Sequence, residues 1–460
     1  MKAKLLVVFV ALTFITNAQV AYAVGSGGYE NASFGAKALS MGNAFTAQSD
    51  DPSAISFNPA GLTDVPGTQV QFGTALINPN STYKGTGDGA AFSERGRIDL
   101  VVTPNVYVTH QLPFFDKRFS VGFGVTAPFG LVTEYSSTGP FRYIGFHNEL
   151  AAIGTSLVGA VRLTDWLSVG ASAIQYRTSA KFHQKMPLAL VVNGTPDALA
   201  KLEGDGTGWG WNLGVKVKPH PKHTIGVYYR SPVRTKLDGT LRIDEIQGAG
   251  ALSDLGGGAT GFGGSSFETR ANQSLEYPEN ITVGYLFTPN DRWKFEADIG
   301  VTGWHVFDRQ VLTTDTTNTF LSNLNLPTDR DFKDVISVHF GTEYQLNEQW
   351  ALRAGYIFFQ SPQTTADWRP DIADSNRNYA SLGVGYKNKK IEIDFAYTAI
   401  FFNKRSIHNG VGSLTNSLGG EIDGNYKTFV NEFMVSFTLK DFSFLKKHFS
   451  KTDAALPSNQ

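Results

Sequence analysis

From Thr68 onward, apolar and polar residues alternate with a period of two. In "WKFEADIGV", Trp293, Phe295, Ala297, Ile299 and Val301 share one parity, and Lys294, Glu296 and Asp298 the other. "IEIDFAYTAIF" repeats this with Ile391, Ile393, Phe395 and Tyr397 against Glu392, Asp394 and Thr398, and "EFMVSFTL" with Phe433, Val435, Phe437 and Leu439. Successive side chains of a strand point to opposite faces, so each segment predicts a strand with one apolar and one polar face. Fourteen such segments can be drawn: 68–78, 97–109, 118–130, 148–163, 166–182, 207–218, 223–243, 274–287, 292–304, 333–346, 349–360, 378–387, 390–402 and 428–439.

The links between them alternate. Short ones ("QLPFFDK", "TD", "PHPK", "TPND", "NE", "KNKK") take turns with long ones near 79–96, 131–147, 183–206, 244–273, 305–332, 361–377 and 403–427. An even strand count with short turns at one end and long loops at the other predicts an all-β fold, a 14-stranded antiparallel transmembrane β-barrel. Two stacked sheets would bury Glu392 and Asp394 at a cost that a polar lumen avoids. The apolar parity then faces lipid, where an open sheet edge is not tolerated, so the sheet must close. Tyr228, Tyr229, Trp293, Trp304, Trp350, Tyr386 and Phe401 fall near segment ends, as interfacial girdles require.

Composition narrows the setting. The formal net charge of -1 gives no basic face for nucleic acid. There are no cysteines, and 48 glycines accompany 13% aromatics, which suits many strands joined by wet loops. Lys2 and Lys4, the apolar run Leu5 to Ile15 and the small-x-small site Ala21-Tyr22-Ala23 predict a signal peptide over residues 1–23. A membrane anchor is the alternative, but the run falls short of the ~20 residues a spanning helix needs.

Residues 24–67 precede the first strand and lack its alternation. A barrel this wide has an interior to fill or to leave as a channel. The small residues Gly35, Ala36, Ala38, Ser40, Gly42 and Ala44 would let this segment thread inside as a plug, although composition alone also permits a polar periplasmic tail. The stretch "DDPSAISFNPAGL", Asp50 to Leu62, contains a stiff corner at Asn58-Pro59-Ala60, since proline restricts its own backbone and that of the residue before it.

"KALSMGNAFTAQSDDPSAISFNPAGLTDVPGTQVQFGTALINPN" resembles the N-terminal hatch and first strand of the FadL-type outer-membrane transporters of long-chain fatty acids and other hydrophobic compounds, a family that includes aromatic hydrocarbon uptake channels. The resemblance continues through "APFGLVTEY", "GWGWNLGVKVKP", "VYYRSPVRTKLDG" and "DFKDVISVHFGTEYQLNEQWALRAGY" and covers nearly the whole mature chain. It implies a hatch over 24–67, a barrel over 68–439 and an outer-membrane location in a Gram-negative bacterium. It also implies capture of substrate among outer loops, an apolar lumen pocket, and sideways release through a gap in the third strand. Residues 440–460 then read as a periplasmic C-terminal extension.

The sequence gives that gap a basis. Ala127, Pro128, Phe129 and Gly130 end the third segment, and Pro128 cannot donate to a ladder. Either pairing breaks there or the strand stops early. Asn58-Pro59-Ala60 is a candidate gate that could satisfy the loose backbone groups of the break. Asp50 and Asp51 either anchor the hatch to lumen cations such as Arg353 or are solvated loop acids. A fatty acid needs an apolar groove and a cation for its carboxylate. Lys181, His183 and Lys185, with Arg330 on a later loop, are the candidates, although the match of "KFHQK" to the family is not residue for residue.

The expected partners are a long-chain fatty acid or other hydrophobic molecule, outer-membrane lipid and lipopolysaccharide, and the barrel assembly machinery during biogenesis. A monomer is expected. No metal-ligand spacing or phosphate loop appears, so no cofactor is expected, and no local Ser-His grouping suggests a barrel enzyme. An uptake channel for aromatic hydrocarbons of the same family and a general outer-membrane porin are the alternatives, and the plug argues against the porin.

Overall fold

The computed structural model describes residues 28–87, 90–113, 115–190, 194–247, 265–315, 328–411, 413–420 and 422–440. The predicted signal peptide and nearly all of the predicted C-terminal extension lie outside these residues. Fourteen antiparallel strands form the wall. They are β1 (Thr68–Gly85), β2 (Val101–Gln111), β3 (Phe119–Glu134), β4 (His147–Arg162), β5 (Leu167–Met186), β6 (Ala198–His220), β7 (His223–Arg230 and Val233–Asp244), β8 (Phe267–Tyr277 and Asn280–Asn290), β9 (Trp293–Thr302), β10 (Val335–Gln345), β11 (Trp350–Phe359), β12 (Arg377–Lys387), β13 (Ile391–Phe402) and β14 (Gly424–Leu439). β1 pairs with β14 from Val70↔Leu439 to Gly85↔Gly424, which closes the sheet on itself. Proline interrupts β7 at Pro232 and β8 at Pro278, and the two breaks face each other between the pairs Arg230↔Asn280 and Val233↔Tyr277.

The alternation reads out as designed by the bilayer. Leu157, Leu213, Ile299, Phe340, Leu382 and Val435 are exposed on the outside, while Glu296, Asp298, Glu343, Arg353, Asp394 and Glu432 on the other parity are buried. Trp293, Trp350 and Phe401 are exposed as an interfacial girdle requires, but Tyr228 and Trp304 are buried inside and leave it. Several strands overrun their predicted ends. β6 begins at Ala198 rather than near 207, because beyond the lipid belt its outward residues Lys201, Glu203 and Asp205 are charged and the apolar alternation no longer marks it.

The lumen is filled. Between residues 31 and 65 every residue is buried except Phe34, Asp50, Ser56 and Asp64, which are half-buried. This plug holds two short helices, α1 (Ala36–Ser40) and α2 (Ala54–Phe57), and a 3-10 turn over Pro59–Asp64. Asn58 caps that turn, its Oδ1 accepting the Ala60 amide, and Pro59 sits at the first position where no amide is needed.

Candidate functional site

The plug is tied to the wall by the carboxylates that the strand alternation turns inward. Asp298 Oδ2 accepts from the Phe45 and Thr46 amides at 3.1 and 3.0 Å. Glu296 Oε1 accepts from Ala47 and Gln48 at 2.6 and 3.2 Å. Ser33 bonds Glu432, and the Ala36 amide bonds Ser436 Oγ. Wall charges that sequence alone assigns to a wet lumen therefore serve as acceptors for four consecutive plug amides. Asp64, at the end of the plug, is held down at about 2: burial opposes its charge, but Lys216 and Lys218 outweigh burial.

One section of wall is incomplete. β3 pairs with β2 from Gln111↔Ser120 to Val106↔Val125 and there parts from it. β3 continues against β4 as far as Glu134, past an irregularity between Thr126 and Phe129 where the register shifts by one residue. β2 continues against β1 alone over Val101 to Asn105. Pro128 thus marks a break in pairing and not the end of the strand.

The start of the plug covers this breach. Gly130 donates its amide to the Tyr29 carbonyl at 2.7 Å, and Asn31 donates its amide to the Pro128 carbonyl at 2.8 Å. Glu30 and Phe129 form an antiparallel bridge, and the Asn31 side chain donates to the Ala127 carbonyl at 2.8 Å. Tyr29 to Asn31 therefore act as a short surrogate strand. No sequence signal singled them out, since a three-residue bridge has no periodicity.

Behind the breach lies a buried apolar cluster. Phe129 stacks on Tyr277 with centroids 4.4 Å apart, and Tyr29 meets Trp304 at 4.8 Å and Phe307 at 5.3 Å. Ile174, Tyr176, Leu237, Leu275 and Phe332 extend the cluster across β5, β7, β8 and the loop before β10. A second aromatic group, Tyr83, Tyr135, Phe141, Trp368 and Tyr426, lines a cavity among the long loops.

The predicted site residues are placed as follows. Asn58 Nδ2 donates to the Thr46 and Val215 carbonyls at 2.9 and 3.0 Å. Pro59 and Ala60 lie on Gly170 of β5, and Asn58 and Pro59 on Gly214 of β6, where a Cβ would fall 2.1 Å from Asn58 Oδ1. The corner is thus a seat for the plug and does not satisfy the break in β3, which corrects the sequence expectation. Asp50 pairs with Lys37 at 2.7 Å and Lys294 at 3.2 Å, and those cations hold it well below the usual carboxylate range despite burial. Asp51 accepts from the Ser53 amide and hydroxyl, and burial raises it. Arg353 pairs with Glu343 and Asp394 instead of either plug acid.

The carboxylate candidates are distributed differently from the expectation. On β5 the even residues face the lumen (Ile174, Tyr176 and Phe182 pack on the apolar cluster). The odd residues Lys181, His183 and Lys185 project outward, against Glu149 at 3.4 Å, Glu203 at 3.2 Å and Glu245 at 2.6 Å. Arg330 is buried in the loop ahead of β10 and forks onto Asp371, with contacts of 3.2 and 2.7 Å. Ala127, Pro128, Phe129 and Gly130 are brought together at the breach.

The profile of a family described as outer membrane protein transport protein (OMPP1/FadL/TodX) matches residues 16–440. The chain belongs to this family. Among its relatives, an outer membrane protein of Neisseria meningitidis serogroup B is 28% identical over 434 residues, covering 88% of this chain and 91% of its own. The long-chain fatty acid transport protein of Escherichia coli K12 is 24% identical over 442 residues, covering 86% and 94%. Among solved structures, a Pseudomonas aeruginosa FadL homologue superposes with a TM-score of 0.77 at 21% identity over 90% of this chain and 99% of its own. The Pseudomonas putida toluene transporter TodX gives 0.66 at 18% identity over 92% and 100%. As a FadL-family barrel the protein resides in the outer membrane of a Gram-negative bacterium, in a family that transports hydrophobic compounds.

Proposed function

We propose that this protein imports long-chain fatty acids. Substrate is first captured by the aromatic group around Tyr83, Phe141 and Tyr426 among the long loops. It passes into the apolar cluster behind β3 and leaves sideways between β2 and β3 once Tyr29 to Asn31 withdraw. The observation that carries this reading is the breach itself: the wall parts beyond Val106↔Val125, directly in front of a continuous buried apolar cluster, and Tyr29 to Asn31 cover it through non-covalent contacts. A lateral route lets a greasy molecule enter the bilayer without crossing a polar channel.

Deleting Pro128 removes the extra residue that separates Thr126↔Gly154 from Phe129↔Ala152. β3 can then run straight against β2. In cells lacking their own fatty acid transporter, the parent should restore oleate uptake and the deletion should lower it at least about tenfold, with the barrel still heat-modifiable on gels. Unchanged uptake in the deletion sinks the lateral route. A parent that moves toluene but not oleate sinks the substrate assignment, and a steady open conductance favours a porin.

A further inference from the structure

Arg230 closes the first half of β7, immediately before the Ser231-Pro232 break, and is 7% exposed. Its Nη2 donates to Glu30 Oε1 at 2.8 Å, and its guanidinium lies 4.9 Å from the centre of the Phe129 ring. Its Nε has no hydrogen-bond partner among the described residues, and the same holds for the buried hydroxyls of Tyr29 and Tyr176. All three side chains meet around Phe129: Tyr29 at 6.1 Å between ring centres, Tyr176 at 5.9 Å. Buried donors left unmet carry their full desolvation cost, and three of them at the edge of an apolar cluster leave a place for an acceptor. On its other side Arg230 opens onto a cavity of about 90 Å³ that it lines with Glu30, Tyr228, Asn280 and His339. The basic residues suggested by sequence do not share this position, because Lys181, His183 and Lys185 point out of the barrel.

We propose that Arg230 is the carboxylate-binding group of the lumen and that a long-chain carboxylate binds there by displacing Glu30. This rests on the uptake reading above and names the chemistry that its substrate must carry. Guanidinium pairs with carboxylate through two parallel bonds, and Glu30 uses one donor, leaving Nε free for a second. Exchange of one carboxylate for another leaves the buried cation paired throughout, so it avoids the penalty of an uncompensated charge. The tail then lies in the cluster of Tyr29, Phe129 and Tyr277. Glu30 is also the residue that bridges Phe129, between the two residues that bond Pro128 and Gly130. Its release from Arg230 therefore loosens the cover of the breach. A ligand shifts such an equilibrium only through differential affinity for the two states, and competition with Glu30 supplies it. An uncharged molecule of the same length fills the cluster without lifting the cover.

The test uses full-length protein in detergent with two probes, oleate and oleyl alcohol. Arg230→Gln should weaken oleate binding about tenfold or more and leave oleyl alcohol within about twofold. Glu30→Gln, which removes the competitor from a segment outside the wall, should tighten oleate several-fold and leave the alcohol unchanged. Arg230→Lys, which keeps the charge but loses the fork, should fall between. The chain has no cysteine, so Ala32→Cys reports on the cover directly: oleate should speed its reaction with maleimide and oleyl alcohol should not. Equal loss of both probes in Arg230→Gln, no loss of either, or an unchanged oleate affinity in Glu30→Gln overturns the assignment. If the parent binds neither probe, the uptake reading itself has failed. If it binds both and the variants do not separate them, only this inference has.

Discussion

Gly355 of β11 lies so close beneath Gly42 of the plug that a Cβ on Gly355 would sit 2.0 Å from the Gly42 amide nitrogen. Gly42 itself has φ of +62°, a conformation that glycine adopts without strain, and its own Cβ would fall 2.6 Å from the Tyr356 nitrogen. Neither side can yield, because both contacts are backbone. Gly355→Ala should therefore lift this end of the plug, at a cost of about 1–3 kcal/mol, while β10, β11 and β12 stay paired. Planar-bilayer recordings should show larger and more frequent openings than in the parent, and the barrel should remain heat-modifiable. Parental conductance would mean that the plug is seated by other contacts.

Asp298 and Glu296 make the next prediction. Between them they accept the amides of Phe45, Thr46, Ala47 and Gln48. Asp298→Ala leaves two buried amides without an acceptor, at about 1–3 kcal/mol each. Hydrogen exchange at Phe45 and Thr46 should accelerate by one to two orders of magnitude, with the β9 amides still protected. Equal protection in variant and parent would show that the carboxylate contributes no tether.

These two contacts show where sequence reading stops. Period-two alternation locates the strands because lipid demands apolar side chains on one parity, and the run from Trp293 to Val301 needs no tertiary information. The same alternation says that Asp298 points inward but not what it meets there. The partner, the Thr46 amide, lies 252 residues away in sequence. Strand ends are hidden for a related reason: above the lipid belt the outward residues of β6, Lys201, Glu203 and Asp205, are charged while Ala198 and Ala200 face in, so the outward apolar parity stops before the strand does. Parity could have told more than composition did, since Tyr176 and Ala180 inward place Lys181 and His183 outward. Pro128 was legible because missing a donor is a property of the residue itself. Its cover was not, because Tyr29 to Asn31 are recruited by backbone groups that any sequence carries.

Asp371 predicts an acid response in the loops. It is buried, which opposes its charge, but Arg330 and Arg369 hold it down at about 2. A carboxyl depressed below its unfolded value stabilises the folded state above the unfolded pKa, and that contribution is lost as pH falls through the folded one. The pairing of Arg330 with Asp371 should therefore hold at neutral pH and weaken between about pH 4 and pH 2, by about 2 kcal/mol. Limited proteolysis after brief acid exposure should cut the loop between β11 and β12 in that window. Asp371→Asn should be cut already at pH 7, with little further change down to pH 2. A parent whose cleavage is flat across the window would remove this pair as a clasp.

Asn31 and Asn58 are both buried plug asparagines, and their roles separate in experiment. Asn31 bonds the Ala127 carbonyl, on the breach. Asn58 bonds the Thr46 and Val215 carbonyls and accepts from Ala60, which fixes the plug to itself and to β6. Asn31→Ala strands the Ala127 carbonyl and the Ser33 amide, about 2 kcal/mol in sum, and should raise maleimide reactivity at Ala32→Cys without altering exchange at Thr46. Asn58→Ala strands three polar groups, about 3 kcal/mol in sum, and should expose the Thr46 to Ala60 region while Ala32→Cys keeps its parental reactivity. Oleate uptake should respond most to Asn31→Ala, because the proposed exit passes Ala127 and not Val215. If Asn58→Ala alone altered reactivity at position 32, the two ends of the plug would be moving as one body, and release would require the whole segment to shift rather than its first residues.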